Sequence, residues 1–385
     1  MHMDPVMPAL VGAVAAVLLI GLILRALKQP HVVGYLIAGV ILGPAGLGLV
    51  TDQEIIARFG EVGVVLLLFF AGMEISLPDL VARWKVPVVG TVLQIALSVG
   101  CAVGVGLWQG WPWGRSVLVG FVISLSSTAV VIKLLQARKE VDQPIGQDVI
   151  GVLLMQDIAV VPMLIIIGLL GGTPPSAGAV TVQIVGGLGI VALLWFIAVR
   201  KRLHLPLGRW LNGDHEMEVF AGGLICFGMA LLSALLGLSS ALGAFVGGII
   251  VGAAKESEWI HESLFPFHVL LLALFFVSIG MLIDLEFVQA HWVTISALLL
   301  AVLLTNTVVN MVILRMMGRT WRNSLYGGAV LSQIGEFSFV LSAVGKEAGL
   351  IQDFGYQISI AVIALSMLAS PAWIALTSRF TRQPA

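Results

Sequence analysis

Apolar runs long enough to cross a bilayer recur along almost the whole chain. A run of about 18 or more apolar residues makes a spanning helix, because each residue rises about 1.5 Å and the hydrocarbon core is about 30 Å thick. In that medium the backbone must satisfy its own hydrogen bonds, and runs of this length do so as helices. The composition agrees, with 59% hydrophobic and 11% charged residues; a soluble domain carries about 25% charged residues. A net charge of −1 gives no sign of a nucleic-acid partner. The 44 glycines are spread through the apolar runs, as membrane helices tolerate. Cys101 and Cys226 also sit in such runs and read as small buried thiols, not as a disulfide or metal site.

The runs predict an all-α polytopic membrane protein. Its helices lie near 6–25, 31–48, 60–77, 86–108, 115–135, 146–171, 179–199, 217–237, 239–254, 264–283, 292–316, 323–345 and 356–378. That is thirteen crossings, with twelve as the alternative because 31–48 and 239–254 are short. With an outside N-terminus, seventeen of the twenty Lys and Arg residues fall in loops on one side. Only Arg58, Arg115 and Lys346 fall on the other. Positive charge marks the cytoplasmic side, so the C-terminus is expected there. The whole of 1–385 reads as one transmembrane domain.

Two carboxylates interrupt the apolar runs at mid-span, Asp157 and Glu336. An acid at a helix centre costs about 2.5–3.5 kcal/mol on insertion scales, and such residues usually line a pathway. A purely structural buried acid is the alternative, and for Glu336 the two readings are even. Beside Asp157 stands Gln156, whose amide oxygen is a hard neutral ligand suited to an alkali cation. Pro162 follows and has no N–H for the carbonyl of Ile158. Burial disfavours the charged form of an acid, so a proton and a cation would compete for Asp157.

Two polar segments look like helix breaks. Ser124-Leu125-Ser126-Ser127-Thr128 places four hydroxyls in five residues, and Ser332-Gln333-Ile334-Gly335-Glu336-Phe337-Ser338 sets a glycine beside the second acid. Hydroxyl side chains offer the backbone local alternatives to the helix; packing by small residues is the competing explanation. The segments lie seven helices apart, an odd offset that fits an inverted repeat. Two broken helices crossing would bring half-helix ends, with their partial charges, to the site.

At this point the chain resembles a known family, the bacterial monovalent cation:proton antiporter-2 family, and within it the Kef-type potassium/proton antiporters. The likeness rests on Gly34–Pro44, Ser124–Lys133, Gln156–Pro162, Phe275–Gly280 and Ser332–Leu341. It implies a homodimer in the bacterial inner membrane, with dimerisation helices at roughly 1–80 and 179–283. It implies a mobile core at roughly 86–171 and 292–378. It implies that Asp157 binds cation and proton, with Gln156 beside it. Ser126, Ser127 and Thr128 on one break, and Ser332, Gln333 and Glu336 on the other, match the family's broken-helix positions. Many members carry a helix-11 lysine that pairs with the binding aspartate; the matching position here is Asn306. Full-length Kef-type proteins end in a cytoplasmic regulatory nucleotide-binding domain, and this chain stops before one.

The resulting expectation is electroneutral, elevator-type exchange of a monovalent cation for protons, with potassium first and sodium second. No cofactor is expected beyond the transported potassium or sodium and the proton. The partners are the bilayer and a second copy. A ligand-gated cation channel and a non-transporting membrane sensor are the alternatives from other classes, and an enzyme is the weakest reading.

Overall fold

The computed structural model describes residues 11–12, 15, 18–23, 31–49, 53–73, 85–141, 143–171, 177–200, 215–236, 238, 240–254 and 257–381. Among these the protein is built of α1 (His31–Leu42), α2 (Gln53–Met73), α3 (Gly90–Gln109), α4 (Trp113–Ser124), α5 (Thr128–Arg138), α6 (Pro144–Leu170), α7 (Ala177–Arg200) and α8 (His215–Leu235). They are followed by α9 (Ser240–Gly252), α10 (Ser257–Met281), α11 (Leu285–Ala290), α12 (Trp292–Met316), α13 (Trp321–Val330), α14 (Phe337–Glu347) and α15 (Asp353–Thr381). Among the described residues, five helices are long and apolar enough to cross a membrane unbroken. The expected span 6–25 falls largely outside the described residues.

The differences from the expected spans have local causes. The run 31–48 is helical only to Leu42, because Gly43-Pro44 follows and the residue before a proline avoids the helical region. The chain turns there through Gly48 at φ 63°, a left-handed value that glycine adopts freely. The spans 115–135 and 323–345 are each divided, by Leu125–Ser127 and by Leu331–Glu336. The short α11 had no apolar signature to announce it; Asp284 caps it by accepting the Phe287 N–H at 2.9 Å. Cys101 is exposed on α3, whereas Cys226 is buried.

The chain divides into two compact units. The first comprises Met1–Ile56, Trp84–Val160 and Phe276–Ala385; the second comprises Ala57–Arg83 and Val161–Phe275. In the first unit Val131 and Leu135 of α5, Val149 and Leu153 of α6, Leu314 of α12 and Val330 of α13 share one buried cluster. Its helices also meet through glycine: a Cβ on Gly39 would lie 2.1 Å from the Val277 carbonyl, and one on Gly280 would lie 2.2 Å from the Leu36 carbonyl. An ion pair and two hydrogen bonds to a tyrosine tie loops to helix ends. Arg319 donates to both Asp148 oxygens, at 2.5 and 2.9 Å, and that bond raises the guanidinium above its ordinary range against its partial burial. Arg138 donates to the Tyr326 hydroxyl at 3.3 Å, and Tyr326 donates to Glu140.

In the second unit Phe69, Phe70 and Met73 of α2 pack with Cys226 and Ala230 of α8 and Ala244 and Val251 of α9. The short α9 is apolar all round and almost wholly buried, the pattern of a helix enclosed by others. It sits close to α2 because Gly72 and Gly248 face backbone, with added Cβ atoms 2.2 Å from the Phe245 carbonyl and 2.0 Å from the Phe69 carbonyl.

Close glycine contacts against backbone carbonyls cannot relax by side-chain rotation. Gly39→Ala is therefore expected to destabilise by at least about 1–3 kcal/mol. Gly104→Ala, with nothing within 4 Å of its added carbon, is the matched control. Thermal unfolding of detergent-purified protein checks this; equal midpoints for the two variants would refute the close packing of α1 on the end of α10.

Candidate functional site

The site lies within the first unit and begins with a hydrogen-bonding problem. When α4 ends at Ser124, the carbonyls of Val122, Ile123, Ser124 and Leu125 lose their helical donors. Each finds a different substitute. Val122 accepts from the Ser338 hydroxyl at 2.7 Å and Ile123 from the Asn306 amide at 2.8 Å. Ser124 accepts from the Gln94 amide at 2.6 Å, and Leu125 from the Gly335 N–H at 2.8 Å. The donors come from α14, α12, α3 and the second break. Four elements thus converge on one helix end.

The chain restarts as α5. Ser127 caps it, its hydroxyl oxygen accepting the Val130 N–H at 3.3 Å, the usual job of a serine just before a helix. Ser126 bridges outward: its N–H donates to Gln156 Oε1 at 2.9 Å, and its hydroxyl donates to the Leu331 carbonyl at 2.7 Å.

The second break passes directly over the first. A Cβ on Gly335 would lie 2.5 Å from the Ser126 oxygen, so only glycine permits this approach. Asn306 donates to the Ser332 carbonyl at 3.0 Å as well as to Ile123, clasping the carbonyl ends of both interrupted helices. The Ile334 N–H donates to the Ser366 hydroxyl at 3.0 Å. Glu336 stands just before α14, where the partial positive charge of a helix N-terminus favours a carboxylate.

Asp157 is 8% exposed, on α6. Thr128, the first residue of α5, donates to its Oδ2 at 3.1 Å. The carboxylate therefore meets a hydroxyl at the N-terminal end of a helix, another place that favours negative charge. Its neighbour Gln156 is fully buried, and its Nε2 donates to Gln94 Oε1 at 2.6 Å. Pro162 lies inside α6, which continues through it.

The structure thus brings Ser126, Gln156, Asn306 and Ser332 to the first break, pairs Thr128 with Asp157 beside it, and uses Ser127 as a cap. Gln333 is fully buried, and its amide makes no hydrogen bond to the described protein. Sequence reasoning did not single out Gln94 or Ser366, and Ser338 entered it only as the end of the second polar segment. Among the described residues no group of three or more His, Cys, Asp or Glu side chains comes together. The donor set is hard oxygen, which suits an alkali or alkaline-earth cation better than a soft metal.

Comparison with known proteins places these residues in context. Residues 13–378 match the family described as sodium/hydrogen exchanger, transmembrane. The iron transporter MagA of Paramagnetospirillum magneticum is 37% identical over 382 residues, covering 99% of this chain and 88% of that protein. The glutathione-regulated potassium-efflux system protein KefC of Klebsiella pneumoniae is 33% identical over 380 residues, covering 97% of this chain and 60% of that one. The structure of the sodium proton antiporter MjNhaP1 from Methanocaldococcus jannaschii aligns over 99% of this chain and 100% of its own, with a TM-score of 0.70 at 16% identity. That last likeness is one of fold.

Asn306→Ala strips two buried carbonyls of their donor, and each such loss costs about 1–3 kcal/mol. Asn306→Asp is expected to be worse, because an ionised carboxylate would face two carbonyl ends with no donor at all. Unfolding midpoints in the order wild type, Ala, Asp would support the clasp. An aspartate variant as stable as wild type would refute it.

Proposed function

The chain belongs to the sodium/hydrogen exchanger family, in its Kef-type cation/proton antiporter branch, and on that premise we propose that it exchanges potassium for protons at Asp157. The observation that carries the proposal is the setting of that carboxylate. It is buried, it is held by the Thr128 hydroxyl at a helix N-terminus, and it adjoins an amide-lined crossing of two interrupted helices. Low dielectric disfavours the bare anion, so the group is neutralised by a proton or by a dehydrated cation. Two occupants competing for one carboxylate make an exchanger. The loaded site can pass an apolar barrier, whereas the empty, charged one crosses poorly, and that asymmetry suppresses leak.

One carboxylate per turnover gives one proton for one monovalent cation, an electroneutral cycle. The position at which many members carry a lysine is Asn306, whose amide is committed to the Ile123 and Ser332 carbonyls. A second titrating cation is therefore not supplied from that position. The family resemblance extends the reading to a homodimer in a bacterial inner membrane with a cytoplasmic C-terminus. In it the core helices, roughly 86–171 and 292–378, would carry the site across the barrier past a fixed dimerisation domain. The KefC relative is longer than this chain, so a regulatory domain in a full-length form belongs to the same proposal.

Sodium is the second reading, favoured by the matched family and by the sodium proton antiporter that shares the fold. Potassium ranks first because the 33% identical relative is a potassium-efflux protein. A site of neutral oxygens around one carboxylate also suits the cation that is cheaper to dehydrate. Iron, the cargo of the MagA relative, is the third arm of the test.

Proteoliposomes with an internal pH indicator, given potassium, sodium or ferrous iron in turn, separate these readings. Saturable, potassium-dependent proton flux is expected. It should be unaffected by clamping the membrane potential with a potassium ionophore and reduced to the level of empty liposomes by Asp157→Asn. Wild-type flux in the Asn variant would remove the site assignment, and flux that builds a potential would remove the one-for-one stoichiometry.

A further inference from the structure

Two glutamine side chains span the first helix break in series. The Ser124 carbonyl accepts from Gln94 Nε2 at 2.6 Å, Gln94 Oε1 accepts from Gln156 Nε2 at 2.6 Å, and Gln156 Oε1 accepts from the Ser126 N–H at 2.9 Å. Both side chains are fully buried. We infer that Gln94 is a positioning residue that fixes which end of the Gln156 amide faces the ion site, and so sets cation affinity. This rests on the exchange reading above, with Asp157 as the shared site.

The polarity of the series is forced from its ends. An amide side chain can usually turn over, because its oxygen and nitrogen ends are alike in size. Here a backbone carbonyl, which only accepts, stands at one end, and a backbone N–H, which only donates, stands at the other. Ser124 therefore draws the NH2 end of Gln94, whose oxygen then draws the NH2 end of Gln156. The oxygen of Gln156 is left to meet Ser126. That oxygen has a second lone pair and belongs to the residue adjoining Asp157 in sequence. Turned over, Gln156 would press N–H against the Ser126 N–H and offer a cation only positive hydrogens.

No member of the series titrates, so it transmits orientation and no charge. Its signature is thus a change in the half-saturating cation concentration rather than in the pH dependence of proton binding. A carboxylic acid at position 94 would break that rule in a diagnostic way. A neutral Gln94→Glu side chain has one O–H for Ser124 and one C=O for Gln156, which reproduces the polarity. Its ionised form has acceptors only and opposes the Ser124 carbonyl.

The test measures KM for potassium in proteoliposomes across pH for wild type, Gln94→Glu, Gln94→Leu, Gln156→Leu and the Leu/Leu double variant. Potassium-induced thermal stabilisation of the same proteins provides a second readout of affinity. The Glu variant should show a KM ratio to wild type near one at low pH, rising to about five- to tenfold as the acid ionises. The Leu variant should be raised about five- to tenfold at every pH, with no further effect when Gln156 is already Leu. The nearly isosteric Glu variant carries the test if the Leu variant fails to fold. A Glu ratio independent of pH, or a Gln94→Leu effect that persists in full in the Gln156→Leu background, would overturn the assignment. A wild-type protein that binds potassium but drives no proton flux would instead refute the exchange reading, while the ordering of affinities still judged Gln94.

Discussion

Everything at the site depends on one constraint: a helix broken inside a bilayer frees carbonyls that lipid cannot satisfy. The carbonyls of Val122, Ile123, Ser124 and Leu125 are answered by Ser338, Asn306, Gln94 and Gly335. Each buried carbonyl left bare would cost about 1–3 kcal/mol, and four together would approach the whole stability of an ordinary domain. The four donors are therefore not decoration around a binding site. They are the condition under which the break exists, and by meeting it they draw α3, α12, α14 and the second break to one point. Asp157 lies at that point because Gln156, its neighbour, belongs to the same web.

The same constraint explains the choice of side chains. Almost all the work of holding the crossing falls to neutral groups: two glutamines, an asparagine, serines and a glycine. Neutral donors stabilise carbonyl ends without adding charge beside Asp157, the carboxylate to which the proposed exchange is assigned. Asn306 illustrates this. An amide there gives two hydrogen bonds to two helix ends, whereas a lysine would bring a titratable charge to the same place. The carboxylate is supported instead by a hydroxyl and a helix N-terminus, which favour the anion and hold no titrating proton of their own.

Much of this was legible in the sequence, for identifiable reasons. The breaks showed because four hydroxyls in five residues, and a glycine beside an acid, are rare at mid-span. Asp157 showed because an acid there is expensive. What could not be read was partnership. Gln94 shares its helix with Thr91 and Ser98, and Ser338 shares its helix with Ser342; nothing local tells a donor aimed at a distant carbonyl from one that faces lipid. Gln156 was read as a cation ligand, and the structure adds that its oxygen also accepts the Ser126 N–H. Gly335 reads in sequence as a helix breaker, and in the structure it also lets one backbone lie against another. The end of α1 at Leu42 was readable from Gly43-Pro44, and the apolar residues that follow obscured it.

The two breaks are not equivalent, and the difference is energetic. At the first, each freed carbonyl and the Ser126 N–H have partners, so any rearrangement must give up hydrogen bonds already made. At the second, Gln333 keeps both ends of a buried amide without a hydrogen bond to the described protein. Buried amides are normally hydrogen-bonded, so Gln333 marks the less fully partnered side of the crossing. The two breaks nonetheless share bonds, Ser126 to Leu331, Gly335 to Leu125 and Asn306 to Ile123 and Ser332, so moving either one gives up contacts to the other. The crossing is thus held as one unit, and Asp157 is tied to it through its neighbour Gln156 and through Thr128.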